Sequence, residues 1–326
     1  MQAEARANSN IAFIKYWGNR DERLRLPQNP SLSMNLAGVY TRTHVTWDAS
    51  LQSDHLILNG RAADTGALQR VSDHLSMLRQ RFGLDLFAHV DSENNFPMGA
   101  GIASSASSFA ALTVAAAEAA HLGVSERELT TLARLGSGSA SRSIPTGYVE
   151  WHQGDSHESS FAESFAPADH WDLVDVIAIV NSGHKEVGSK QGHPTADTSD
   201  LQTARVAGAA DRLRQCKQAV FDRDFATFAR VVELDSNLMH AVMMTSQPPL
   251  FYWQPASLTV MENVRQRRQD GLQVCYTLDA GPNVHCLCTS AHSQQVEQSL
   301  RQLEGVIDVR TASVGDGAVI DHSDRN

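Results

Sequence analysis

The sequence runs to 326 residues, 42% hydrophobic and 20% charged, a globular balance with room for one large domain or two closely joined ones. Its formal net charge of −10 at pH 7 repels polyanions, which excludes nucleic acid and anionic membrane surfaces as general partners. An anionic substrate would have to be gripped by a few well-placed cations. No segment approaches about 18 continuous apolar residues, and no apolar leader precedes the charged stretch from Arg20 to Arg25, so the expectation is a cytoplasmic protein.

Residues 9–17 and 41–48 read as extended, and DHLILNG at 54–60 as a strand ending in a turn. Leu68, Val71, Leu75 and Leu78 recur at helical spacing and predict a helix over 66–82, followed by a strand in LDLFAHVDSENNFP. Ser125 with Glu128 three residues on has the pattern of a capping box, and the short helix it starts is expected to end at Gly136. GYVEW and DLVDVIAIVNSG read as strands, and 196–244 as a mostly helical region with Leu201, Val206, Leu213, Val220 and Phe225 as core positions. A helix at 255–270, strands at 272–278 and 283–289, a helix near 293–303 and a strand around 306–313 complete the pattern. No low-complexity linker divides the chain. Gly, Lys, His and Pro cluster at 183–195, so the division is set there, giving domains 1–187 and 188–326.

The four cysteines, Cys216, Cys275, Cys286 and Cys288, lack zinc-site spacing and are expected as reduced core thiols. The fourteen histidines include no HExxH, and no metal beyond a nucleotide's magnesium is suggested.

Three stretches carry chemistry. PMGAGIASSASSFAALTVAAAEAA at 97–120 places Gly99 and Gly101 before Ser104, Ser105 and an alanine-rich helix. Such a turn can converge backbone N–H groups on a phosphate at a helix N-terminus; the same residues also suit a tightly packed core helix. GSGSASRSIPTGYVEW at 136–151 offers Ser137, Ser139 and Arg142, hydroxyls for phosphate oxygens and a planar guanidinium for a carboxylate. DAGPNVHCL at 279–287 puts Asp279 before a Gly-Pro turn, a position that an Asx turn alone would also explain.

Together with NIAFIKYWGNRD, LPQNPSLSMNL, HKEVGSKQG and ELDSNLMHAV in the same order along nearly the whole chain, these stretches resemble the GHMP kinase superfamily and, within it, the mevalonate diphosphate decarboxylases. The resemblance implies an α+β fold, with a ribosomal-protein-S5-like N-terminal half and a ferredoxin-like C-terminal half around one cleft, usually in a homodimer. It implies ATP and Mg2+ as cofactors, with Gly99, Gly101, Ser104 and Ser105 on the ATP phosphates and magnesium held mainly by those phosphates, with Ser104 or Ser105. It assigns Asp279, Lys15 and Arg142 to catalysis, and Asn10, Tyr16, Asn19, Ser137, Ser139, Ser189 and Lys190 to substrate. Ser33 looks like a cleft residue by the same resemblance, and His193 contacts substrate or faces solvent. Tyr16 and Trp17 pack beside a ligand or in the core.

The chemistry of such a reaction is consistent with these residues. A 3-hydroxy acid has no electron sink for decarboxylation, so the hydroxyl must first become a leaving group by phosphorylation. Arg142 would hold the carboxylate, Asp279 would orient or deprotonate the hydroxyl, and Lys15 would bridge Asp279 and the transferring phosphate. Two departures stand out. The family carries lysine where Asn19 stands, in K-Y-W-G-K, and V-S-S-T-Q-G where this chain has VGSKQG with Lys190. A lost phosphate cation suggests a shorter anion. The expectation is therefore decarboxylation of 5-phosphomevalonate to isopentenyl phosphate. The alternatives are the diphosphate substrate with Lys190 replacing the lost charge, a mevalonate-type 3-kinase, and a non-catalytic metabolite-binding relative.

Overall fold

The computed structural model describes residues 1–96, 104–181, 183 and 188–321. In chain order its first part holds β1 (Gln2–Ile14), β2 (Asn19–Asp21), β3 (Leu26–Pro27), β4 (Ser31–Asp48), β5 (His55–Leu58), β6 (Arg61–Ala62), α1 (Thr65–Phe82), β7 (Phe87–Asn94), α2 (Ser104–Ala119), α3 (Glu126–Gly136), a 3-10 turn at Gly138–Ser143, β8 (Tyr148–Trp151) and β9 (Ala162–Ala166). The second part holds β10 (Leu173–Ile179), α4 (Ser189–Gly192), α5 (Gln202–Ala207), α6 (Ala209–Asp222), α7 (Phe225–Thr245), α8 (Pro255–Gln269), β11 (Val274–Thr277), β12 (Val284–Thr289), α9 (Ser290–Arg301), β13 (Asp308–Ser313) and β14 (Val319–Ile320).

Among the described residues the first sheet has eight strands, ordered β14-β1-β4-β7-β5-β6, with β8 and β9 joined through β4. The long β4 makes this possible: its start pairs with β8, Ser31 opposite Trp151, and its end with β7, Asp48 opposite Phe87. Helix α2 has apolar and small residues on all sides and is buried nearly throughout, as a helix enclosed by other elements must be. Alanines on both partners let it lie close to β1, where Ala5 and Ala7 join the same core as Ala110, Ala111 and Ala115. A register shift between Asn8 and Asn10 interrupts β1, and beyond it Ile11 and Phe13 feed the other core, shared with α6, α7 and the second sheet.

The second sheet is antiparallel, ordered β11-β12-β10-β13. Helices α8 and α9 cover one face, with Val260, Val264, Val296 and Leu300 against Val176, Cys286 and Cys288. Taken with α8 and α9, this strand order is that of the expected ferredoxin-like half of an α+β chain. The four cysteines are free and buried, as expected. Sheet membership changes ahead of the expected 187/188 division: β10 already belongs to the second sheet, and β14 returns to pair with β1 through Ala5 and Ile320. One expected core position is corrected. Leu201 is 44% exposed, and the neighbouring polar residues Gln202 and Arg205 are buried in its stead.

Candidate active site

Lys15 lies one residue past the end of β1, so its backbone leaves the sheet ladder and its polar groups need other partners. The second part of the chain supplies most of them. Asp235 on α7 accepts the Lys15 N–H at 2.7 Å. Arg205 Nη2 and Asn29 Nδ2 donate to the Lys15 carbonyl at 2.8 and 2.9 Å. Arg205 Nη1 and Gln202 Nε2 donate to the Trp17 carbonyl at 3.1 and 3.0 Å. Arg212 Nε in turn donates to Asp235 Oδ2 at 2.6 Å. Trp17 itself is core, packed with Met239, Met243 and Leu250. These buried polar residues escaped the sequence reading because hydropathy assigns Arg, Gln and Asp to solvent; the signal available was the unpaired backbone of the KYWG segment.

The frame aims the Lys15 ammonium at Asp279, which follows β11, with Nζ donating to Oδ1 at 2.6 Å. Lys15 is 1% exposed and the Asp279 side chain 27%, so the pair has one open flank. Burial lowers the Lys15 pKa below the ordinary lysine value and Asp279 opposes that fall. Burial would raise Asp279, but the Lys15 charge, with His285 and Arg142 farther off, holds it below the usual carboxylate range.

Arg142, in the 3-10 turn, is the third charge. Its Nη1 donates to Ser31 Oγ at 2.8 Å and its Nε to Asn10 Oδ1 at 3.3 Å, while Asn10 Nδ2 donates to Ser143 Oγ and the Ser139 carbonyl. Among the described residues Arg142 has no carboxylate partner. Burial lowers its pKa to about 10, which leaves it cationic at neutral pH. Asn10 therefore orients Arg142 and the turn. Ser33 is fully buried, its hydroxyl without a partner among the described residues.

Ser137 donates to Ser105 Oγ at 3.3 Å and lies 3.3 Å from Ser139 Oγ, so three expected hydroxyls cluster at the start of α2, beside Ser104. Gly99 and Gly101 lie outside the described residues. Ser189 and Lys190 fall on α4. His193 is partly buried rather than free in a loop: it stacks on Tyr16 and Trp17 with ring centres 4.2 and 4.6 Å away, its Nδ1 accepts from the Gly18 N–H, and burial lowers its pKa to about 3. Tyr16 also packs edge-on against Trp151, and a Cβ on Gly138 would come within 2.5 Å of the Tyr16 ring, so the turn approaches this tyrosine only as glycine. Among the described residues no cluster of His, Cys, Asp and Glu could hold a metal ion, and no helix is long and apolar enough to cross a membrane.

A cation–carboxylate pair, a second cation and a hydroxyl cluster can position a carboxylate, a hydroxyl and a phosphoryl donor together. Comparison with known proteins agrees with that inventory. Residues 7–162 match the diphosphomevalonate decarboxylase-like N-terminal domain, and residues 175–317 the mevalonate 5-diphosphate decarboxylase C-terminal domain. Diphosphomevalonate decarboxylase mvd1 of Aspergillus fumigatus is 40% identical, over 93% of this chain and 81% of its own length. The solved complex of MDDEF with MVAPP, AMPPCP and magnesium is 37% identical, with a TM-score of 0.93 over 98% of both chains. The mevalonate diphosphate decarboxylase of Staphylococcus aureus is 36% identical, with a TM-score of 0.92 over 98% of this chain and 97% of its own. Matched in both halves and along almost its whole length, this chain belongs to the mevalonate diphosphate decarboxylase family of the GHMP kinase superfamily.

Proposed function

We propose that the protein decarboxylates mevalonate 5-diphosphate to isopentenyl diphosphate, consuming ATP and releasing ADP, phosphate and carbon dioxide. The observation that carries the reading is the Lys15–Asp279 pair with Arg142 within electrostatic reach. The substrate named for the related proteins supports the diphosphate, over the monophosphate expected from Asn19.

In this reading Arg142, already oriented by Asn10 and Ser31, holds the substrate carboxylate. Asp279 accepts a hydrogen bond from the 3-hydroxyl, which aims the oxygen lone pair at the phosphoryl group, and it relays the hydroxyl proton to solvent as the new O–P bond forms and the P–O bond to ADP breaks. A loose phosphoryl-transfer transition state needs little base assistance, so Asp279 acts chiefly as a fixed negative charge. Lys15 neutralises charge gathering on the transferring group. Departure of the 3-phosphate leaves positive charge at C3, beside Asp279, and the C–CO2 bonding electrons form the alkene. The Ser105, Ser137 and Ser139 hydroxyls suit phosphate oxygens. Ser104 and Ser105 would hold Mg2+ together with the nucleotide, since hydroxyl oxygens suit a hard cation that spreads the charge of the transferring phosphate. Four free, buried cysteines support the expected cytoplasmic setting, and the homodimer implied by resemblance belongs to the same proposal.

The test offers mevalonate, 5-phosphomevalonate and mevalonate 5-diphosphate side by side, with ADP followed and carbon dioxide trapped. The expected result is a kcat/KM at least about tenfold higher for the diphosphate. One observation favours a second reading: the Asn19 side chain is held by Tyr16 and Glu22, and a preference for the monophosphate would establish that reading instead. ADP without carbon dioxide would make the protein a 3-kinase.

A further inference from the structure

Lys15 and Asp279 meet although neither lies in a sheet. Strand β1 ends at Ile14 and β11 at Thr277, and the two strands belong to different sheets. The ammonium is therefore carried one residue past one ladder and the carboxylate two residues past the other, where the backbone needs new partners. For Lys15 one of them is Asp235 Oδ1, which accepts its N–H at 2.7 Å. For the Asp279 segment it is the next residue of the same helix: Ser236 Oγ accepts the Leu278 N–H at 3.0 Å and donates to the Leu278 carbonyl at 3.5 Å.

Consecutive residues of a helix point about 100° apart, which lets positions 235 and 236 of α7 face two different strands. One trans peptide, with about 3.8 Å between its Cα atoms, thus separates the anchors of the two charged groups. The helix is held on both sides: Phe228, Val231 and Val232 join the core that contains Ile11 and Phe13 of β1, while Met239, Val242 and Met243 pack with Trp17. Asp235 and Ser236 are both fully buried. Hydroxyls inside helices commonly turn back on the helix itself, as Thr113 and Thr245 do by donating to the carbonyls of Phe109 and Ala241 at 2.6 and 2.7 Å. The Ser236 hydroxyl instead bonds across to Leu278. Beyond Asp279 the chain is fixed on its far side, where the Gly281 N–H donates to the Asp279 carbonyl at 2.7 Å and Ser257 Oγ to the Pro282 carbonyl at 2.5 Å.

We propose that Ser236 is a positioning residue for the reaction: with Asp235 it makes α7 a gauge that sets the separation of the Lys15 ammonium from the Asp279 carboxylate. The inference rests on the roles given above to that pair, and not on which phosphorylated substrate it serves. Without the Ser236 acceptor a buried Leu278 N–H has no partner, the segment shifts to find one, and Asp279, the next residue, moves with it. A displacement of about 1 Å in a reacting group can cost about a hundredfold in rate.

Steady-state kinetics of the full chain across pH, with mevalonate 5-diphosphate and 5-phosphomevalonate both offered, test it beside thermal melts. Ser236→Ala is expected to lower kcat about tenfold or more, with KM for ATP within about threefold because the hydroxyl cluster at α2 is untouched. Its alkaline limb should move to lower pH. Burial lowers the Lys15 pKa and Asp279 is the largest influence against that fall, so a looser pair lets it drop further. The other charges acting on Lys15, Asp235 and Arg142, stay in place, and His240, one turn along α7, is neutral, its pKa lowered to about 3 by burial and then by Lys15. Ser236→Thr keeps the acceptor and should restore most of kcat and the parent limb, whatever its added methyl does to the melting temperature. Ser236→Cys, similar in size but a weak acceptor, should behave as Ser236→Ala does and carries the test if the alanine variant fails to fold. A lower melting temperature with the parent's kcat and limb, or a threonine variant as slow as the alanine one, would overturn the positioning role. Asp279→Asn separates the two readings: if it too keeps the parent's kcat, the pair is outside the reaction and both fall; if it is inactive while Ser236→Ala turns over like the parent, only the role of Ser236 falls.

Discussion

Asp279→Asn is expected to lower kcat at least about 10³-fold, the scale seen when a fixed charge is removed from a developing transition state, while nucleotide affinity holds within about threefold. The substitution is nearly isosteric, so its effect is electrostatic, and it reaches beyond the carboxylate's own charge. Burial already presses Lys15 below the ordinary lysine pKa, and Asp279 is the largest influence holding it up. Without the carboxylate the buried ammonium loses its 2.6 Å partner, and its pKa falls further. Whatever activity Asp279→Asn retains should therefore show its alkaline limb at lower pH than the parent, a signature that simple loss of the hydroxyl acceptor would not give. On the acid side the sign runs the other way. A carboxylate whose folded pKa is depressed contributes stability above its unfolded pKa, and that contribution is lost only as pH falls through the folded value. Asp279 should stay ionised throughout the range above about pH 5, and loss of activity near pH 6 would have to come from another group. A variant retaining kcat within tenfold would remove Asp279 from the reaction.

Much of the fold was legible because its periodicities are strong. The helix expected over 66–82 is α1 at Thr65–Phe82, with Leu75 and Leu78 buried as their spacing requires. Ser125 caps α3 by accepting the Glu128 N–H. The strands expected at 283–289 and 306–313 are β12 and β13 within two residues. What escaped was whatever depends on distant partners. β14 is two residues long and exists because Ala5 and Arg6 offer it a free edge. The strands of the β2–β3 hairpin flank the charged run RDERLR, which carries no strand pattern, and only the buried Leu26–Pro27 just after it mark an inward face. The site divides in the same way. Lys15, Arg142 and Asp279 announce themselves by motif, but local sequence says nothing of Arg205 reaching 190 positions back to the Lys15 carbonyl.

Asp235→Leu is expected to destabilise the protein by about 3–5 kcal/mol, the range for removing one partner of a buried ion pair, and to lower its melting temperature by roughly 10 °C at about 2–4 °C per kcal/mol. Asp235 and the Arg212 side chain are both enclosed, joined at 2.6 Å, and Asp235 Oδ1 separately accepts the Lys15 N–H. Leucine would strand a cation and an amide donor at once. The two losses can be separated. Asp235→Asn keeps an acceptor for the Lys15 N–H but not the charge, so it should recover the smaller, hydrogen-bond share of about 1 kcal/mol. The double variant Arg212→Met/Asp235→Leu removes the stranded cation and should be more stable than Asp235→Leu alone, as replacement of a whole buried pair by apolar groups often is. It should nevertheless turn over more slowly than the parent, because the Lys15 backbone has lost the acceptor that fixes where its ammonium meets Asp279. If the double variant regained full stability and full kcat together, the pair would be packing material rather than a mount for Lys15. If it regained stability but not kcat, the distance from Asp235 to the chemistry would be bridged by the KYWG backbone itself, a segment that both halves of the fold hold.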